Sequence, residues 1–361
     1  MINQLLTRRY DMKKVILGLM LLGVVSGSSF AQIMGMDVDD SKMKVKILKT
    51  GADPKYQLKQ DFPAGKYRMT VDMNIKQSMV SDKQQPMPMN VSMKFIVLAD
   101  ISDYDKDGVK SLKFSYESVE MVTPMGSGKA VRGQKPAADK TATSQPAGGN
   151  MMQMQAEQLV EIEGITVKMD KTGKIISIEG VENMPGGQAD MIANLVKDVS
   201  TSQKYPAVGV GGAFDVSAEA EMPMMGSMLI DTVTTLVSVD KTDKGNIGKL
   251  QSEITMSLKK DAAAAQKDDA AKKDEKAAPS TKPADADAED EDENGGDVNA
   301  PKLDMQMNMK GAFTTTMDLA TGLAIESVGT MTNDMTVQAG PQGAMKMHQV
   351  IEMKMTTEPV K

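Results

Sequence analysis

The sequence predicts a mainly β fold: long antiparallel, curved sheets in two related halves, with one intervening helix and two disordered inserts. Three observations carry that expectation. Apolar and polar residues alternate over long runs in most of the chain, the period of a strand with one buried face. A hairpin-like segment occurs twice: residues 164–180 read GITVKMDKTGKIISIEG, and roughly 150 positions later residues 311–329 read GAFTTTMDLATGLAIESVG. Two stretches, 126–150 and 259–300, carry almost no large apolar residue, and such a composition cannot bury enough surface to offset the entropy of ordering.

The chain opens with Arg8, Arg9, Lys13 and Lys14, the apolar run Val15 to Val25, and small residues at Ser29 and Ala31. A basic segment, a short apolar core and small residues before the cut describe a secretory signal peptide over 1–31, cleaved after Ala31. Met12 offers a compact alternative start. No cysteine follows to accept a lipid anchor, and no later apolar run is long enough for a spanning helix, so the expectation is a periplasmic or secreted protein without a transmembrane segment.

Residues 32–203 form the first expected half. Tyr67, Met69, Val71, Met73 and Ile75 share one strand face; so do Met87 through Ala99 at every second position, and Leu112, Phe114 and Tyr116. One face is apolar and the other wet, as in antiparallel sheets with a single buried side. A flexible insert over 126–150 precedes the first repeated hairpin. After it, Met191, Ile192, Leu195, Val196 and Val199 fall at helical spacing, which predicts a helix over 187–200.

Residues 204–361 form the second half, with strands expected over 213–221, 227–239 and 247–258. The charged insert 259–300 follows. Met305, Met307, Met309, Phe313 and Met317 then share a face, as do Met345, Met347, Ile351, Met353 and Met355, with the second repeated hairpin between the two runs. Gly173 and Gly322 occupy the position that closes each hairpin loop, where a positive φ is required. Each half opens on a similar turn and carries its insert just before its hairpin, which points to an internal duplication.

Tyr56-x-Leu58, Phe62-Pro-Ala-Gly65-Lys-Tyr67, the Asp170-x-x-Gly173 hairpin followed by a helical pattern, and Tyr205-Pro206 leading to Val210-Gly211 resemble a bacterial family of exported β-rich proteins classed as a domain of unknown function. Phe214 stands where members of that family often carry Trp. The resemblance covers most of the chain after the leader, and it implies a fold and a destination but no activity or cofactor.

Composition narrows the chemistry. The net charge of −7 and the lack of a basic, aromatic-interleaved patch exclude a nucleic-acid partner. There is no Cys and one His, His348, so thiolate chemistry, thiolate metal sites and disulfides are excluded, and no candidate active site remains. The expectation is a non-catalytic protein. Methionine occurs 35 times while all aromatics make up 3%. A sheet face lined by flexible thioethers can re-pack around an apolar ligand or an envelope protein partner. The alternative is a soft-ion site for Cu(I) or Ag(I), for which Met345, Met347 and His348 give the densest candidate set. Asp103-Tyr-Asp105-Lys-Asp107-Gly108 matches half of a calcium loop, but Phe114 stands where the bidentate Glu belongs, so it reads as a hairpin turn.

Overall fold

A computed structural model of the chain describes residues 37–38, 44–58, 61–81, 84–124, 126–134, 147–161, 164–171, 175–180, 205–222, 226–243, 245–258, 304–338 and 344–360. The expected signal peptide, the helix over 187–200, Gly173 and the insert over 259–300 lie outside these residues. The strands are β1 (Asp37–Val38), β2 (Lys44–Lys49), β3 (Tyr56–Gln57), β4 (Gly65–Ser81), β5 (Gln84–Ile101), β6 (Val109–Thr123), β7 (Gly126–Val131) and β8 (Ile165–Asp170). They continue with β9 (Ile175–Glu179), β10 (Ala207–Val208), β11 (Ala213–Met222), β12 (Gly226–Thr242), β13 (Gly245–Leu258), β14 (Asp304–Asp318), β15 (Ala324–Gln338) and β16 (Ala344–Pro359). One helix, α1 (Ala147–Glu161), is present among the described residues.

The two expected halves do not make two sheets. They join in one curved, unclosed antiparallel sheet in the order β1-β11-β12-β13-β14-β15-β16-β4-β5-β6-β8-β9, with β2 also on β11 and β7 also on β6. The seam is β16 against β4, running in register from Met345↔Ser81 to Pro359↔Tyr67. Strands of 15 to 18 residues reach about 50 to 60 Å at 3.3 Å per residue, and sheets of such strands twist and curl.

The alternation is real in three dimensions. Met69, Val71 and Met73 of β4, Met93, Phe95 and Val97 of β5, and Met353 and Met355 of β16 are all buried on one face. In β6 the pattern slips by one residue: Tyr116 pairs with Val97, Ser118 pairs with Ile96, and Glu117 is the extra residue of a bulge. The slip returns Val119 and Met121 to the buried face. It also delivers the Glu117 carboxylate to Arg68, whose Nε and Nη2 donate to it at 2.8 and 3.0 Å.

Where a flexible stretch was expected, residues 126–131 form β7, and Ala147–Asn150 begin α1. The backbone of α1 lies directly on β7. A Cβ added at Gly128 would stand 2.2 Å from the Met152 carbonyl oxygen, so only glycine admits the helix at this depth. Gln153 completes the docking, its side-chain amide accepting from Lys129 N at 3.0 Å and donating to Lys129 O at 2.9 Å. Backbone groups that an edge strand would leave unpaired are thereby satisfied. Ala156, Leu159 and Val160 of the helix enter the main core.

The two ends of the sheet differ. At one end, β3 and β10 pair across Gln57 and Ala207, and Leu58, Tyr205 and Val208 pack with Phe214, Leu236, Leu250, Met317 and Leu319 in a second core cluster. The Tyr205 and Phe214 rings meet at 5.6 Å. Beside this cap, Lys110 Nζ is nearly buried and donates to Asp61 Oδ1 at 2.9 Å and to the Phe62 carbonyl at 2.6 Å. The second repeated hairpin also turns here, with Gly322 at φ 76° and its N–H donating to the Asp318 carbonyl at 2.7 Å. This is the capped end. The pairings Gln338↔Ala344 and Ser81↔Met345 mark the opposite, methionine end.

Candidate apolar binding face

At the methionine end the strand registers align side chains in rows across the inner face. Met307 of β14 pairs with Met335 of β15, Met335 with Met347 of β16, and Met347 with Met79 of β4. Four thioethers therefore stand side by side on four adjacent strands, with directly opposed Cβ atoms about 5 Å apart. Met347 is buried and the other three are half-buried. The inner-face aromatics Phe95, Phe114, Tyr116, Phe214 and Phe313 all lie farther toward the capped end. A core in which aromatics and methionines mix thus gives way along the strands to a face without aromatics, whose unbranched side chains with three rotatable bonds adapt to a guest at low cost.

One step deeper the face is polar. Asn333 of β15 pairs with Gln349 of β16, which pairs with Gln77 of β4. Deeper still, Met331, Ile351 and Ile75 restore the apolar surface. Gln77 Nε2 donates to Met347 Sδ at 3.2 Å. Asn333 is 6% exposed, and its Oδ1 has no hydrogen-bond partner. A buried acceptor without a donor costs about 1–3 kcal/mol.

The sequence carried a signal for these amides. Each interrupts an apolar stripe at an inward position: Met331-x-Asn333-x-Met335, Met347-x-Gln349-x-Ile351 and Ile75-x-Gln77-x-Met79. Singly, each reads as an ordinary lapse in amphipathicity. Only the register shows that they fall in one line.

Met345 and Met347 both lie on the inner face of β16, but His348 is on the outer one. Its Nδ1 stands 2.7 Å from Asp334 Oδ1, and its side chain is 53% exposed. Neighbouring residues of a strand project to opposite sides of the sheet, so the three do not converge on one ion. No group of three His, Asp or Glu side chains among the described residues could hold a metal. The Asp103–Gly108 segment is a turn between β5 and β6. Asp105 Oδ1 accepts from the N–H groups of Asp107 at 2.9 Å and Val109 at 2.8 Å, and Gly108 has φ 77°. One carboxylate oxygen that a calcium ion would need is committed to the backbone.

The outer face is charged. Lys354, Asp72, Lys94, Glu120 and Lys129 stand in direct register on five adjacent strands, β16-β4-β5-β6-β7, alternating in sign. Lys94 lies 3.7 Å from Asp72, and Lys129 lies 3.1 Å from Glu120. Such exposed pairs contribute little stability singly, but they keep the face wet.

No protein-family model matches the chain, and no curated protein matches it. The solved structures to which it is similar include an outer membrane channel from Pseudomonas putida F1, at 7% identity over 85% of this chain and 100% of that one, with a TM-score of 0.19. Others are Salmonella typhi OmpF in complex with daunomycin, at 5% identity over 80% and 97% with a TM-score of 0.22, and the β domain of the Bordetella autotransporter BrkA, at 7% identity over 80% and 98% with a TM-score of 0.18. At these scores the similarities carry no argument. The charge pattern does. A membrane barrel turns apolar side chains outward to lipid and polar ones inward, whereas this sheet buries its apolar face and exposes a ladder of charges. No helix among the described residues is long and apolar enough to cross a membrane.

Proposed function

We propose that this chain is a non-catalytic, exported protein of the cell envelope, periplasmic or secreted, that binds an apolar ligand or an apolar segment of a protein partner on its methionine-lined sheet face. The leader over 1–31 and the resemblance to exported β-rich proteins support the location. The observation that carries the binding reading is the row Met307–Met335–Met347–Met79, half-buried except at Met347, which is buried, at the end of the inner face opposite the cap. Flexible, polarizable side chains at such a place give a surface that can re-pack around more than one shape.

The test is displacement of the apolar fluorophore N-phenyl-1-naphthylamine from the signal-free protein. The expected result is saturable binding that weakens severalfold when Met79, Met335 and Met347 are replaced together by Gln, which keeps length but adds polarity. Equal binding by the wild type and a variant shown by circular dichroism to be folded would sink the reading.

A second reading is a soft-ion site for Cu(I) or Ag(I). The in-register thioether row favours it and shifts it from Met345, Met347 and His348 to Met79, Met335 and Met347. A stoichiometric adduct in anaerobic native mass spectrometry, lost on replacing these three by Leu, would establish it over the apolar one.

A further inference from the structure

The amide row places a polar stripe across an otherwise apolar face, and one member of that stripe is incomplete. Asn333 Oδ1 is closed off from solvent and accepts no hydrogen bond. Its in-line neighbour Gln349 and the next amide, Gln77, continue the stripe across two more strands, and Gln77 directs its N–H at Met347 Sδ. On either side of the stripe stand methionine and isoleucine, and none of the inner-face partners paired with these rows from β14 to β4 is charged. An ionised head group would lose hydration here with no counter-charge to replace it. A neutral donor would lose only what Asn333 restores.

We propose that the guest of this face is a neutral, single-chain amphiphile, whose hydroxyl group donates to Asn333 Oδ1 while its hydrocarbon chain lies along the methionine row. The proposal rests on the apolar-binding reading above and specifies its ligand class. Occupation requires the thioethers beside Asn333 to swing aside, which their rotatable bonds permit. The orphaned acceptor then gains a donor that no neighbouring side chain supplies.

The probes are 1-dodecanol and its methyl ether, which have the same chain and differ by one O–H donor. Each is titrated against the fluorophore bound to the signal-free, full-length protein. The expected result is displacement by both, with the alcohol binding about tenfold tighter, and with Asn333→Leu abolishing that difference by weakening the alcohol alone. Equal affinity of the two probes for the wild type, which requires no variant, overturns this proposal and leaves the apolar reading standing. So does a preference for the alcohol that survives in Asn333→Leu. Failure of both probes to displace a saturably bound fluorophore overturns the proposal as well, and failure of the fluorophore itself to bind removes the reading beneath it.

Discussion

Gly329 is a position where a single methyl group should do damage out of proportion to its size. It lies in the interior of β15, directly opposite Phe313 of β14, on the inner face. An added Cβ would stand 2.2 Å from Phe313 Cδ1, 2.6 Å from Cε1 and 2.6 Å from the Ala312 carbonyl oxygen. The first contact is more than an ångström inside van der Waals distance. The last is with backbone and cannot be relieved by rotating the ring. Gly311 gives the same ring its clearance on the other side, where a Cβ would be 3.2 Å from Cε2. Relaxing Gly to Ala in a strand would by itself stabilise by about 0.5–1 kcal/mol through the unfolded chain. Overpacking costs about 1–3 kcal/mol, so Gly329→Ala should destabilise by about 1–2 kcal/mol net. Urea unfolding measures this. Phe313→Leu shortens the group in the way, so the double variant should be more stable than the sum of the single effects predicts, with a coupling of about 1 kcal/mol. A neutral or stabilising Gly329→Ala, or strict additivity with Phe313→Leu, would refute the packing argument.

The remaining predictions concern the helix, the cap and the turn. Gly128→Ala should lift α1 from β7 and cost about 1–3 kcal/mol, with amide hydrogen exchange rising over 147–161 before the sheet responds. Tyr104 should titrate late in an ultraviolet absorbance titration. Burial, then its hydrogen bond to Asp61, push it up to about 12 from 10.0. Because the unfolded chain releases this proton first, its stabilising contribution is complete below pH 10 and declines as pH rises toward 12; Asp61→Asn should bring the titration down. Asp105→Ala should cost about 1 kcal/mol by removing two bonds to backbone N–H groups, and millimolar Ca²⁺ should not raise the melting temperature of the wild type.

Much of the strand layout was legible because one face of a strand must be apolar over its whole length. The stripe Tyr67, Met69, Val71 and Met73, and the second-half strands 213–222, 226–242 and 245–258, emerged close to their expected bounds. The β7–α1 unit did not. Residues 126–131 contain no large apolar side chain except Val131, so no strand period marks β7; α1 opens on Ala147-Gly148-Gly149 within a glycine-rich stretch, although Met152, Ala156, Leu159 and Val160 fall at helical spacing. What makes them regular is each other: a glycine that admits a helix backbone, and a glutamine that completes a strand edge. The Glu117 bulge and the line of Asn333, Gln349 and Gln77 were hidden for a related reason. Both depend on which residue stands opposite which, a relation set between strands rather than along them.

The seam between β16 and β4 bears on how the protein is made. Lys76 and Glu352, which meet across it at 2.6 Å, are separated by 276 positions of chain. During synthesis from the N-terminus, the meander from β4 to β9 emerges with the β4 edge bare, and its partner in the sheet is β16, about 260 positions later. A long edge rich in methionine and valine, waiting for most of the chain to arrive, is a template for mispairing with other copies. Closing so distant a contact last also makes folding slow. A chain of this topology therefore needs either a holding chaperone during synthesis or low local concentration, and truncations that remove β16 should aggregate rather than leave a soluble first half.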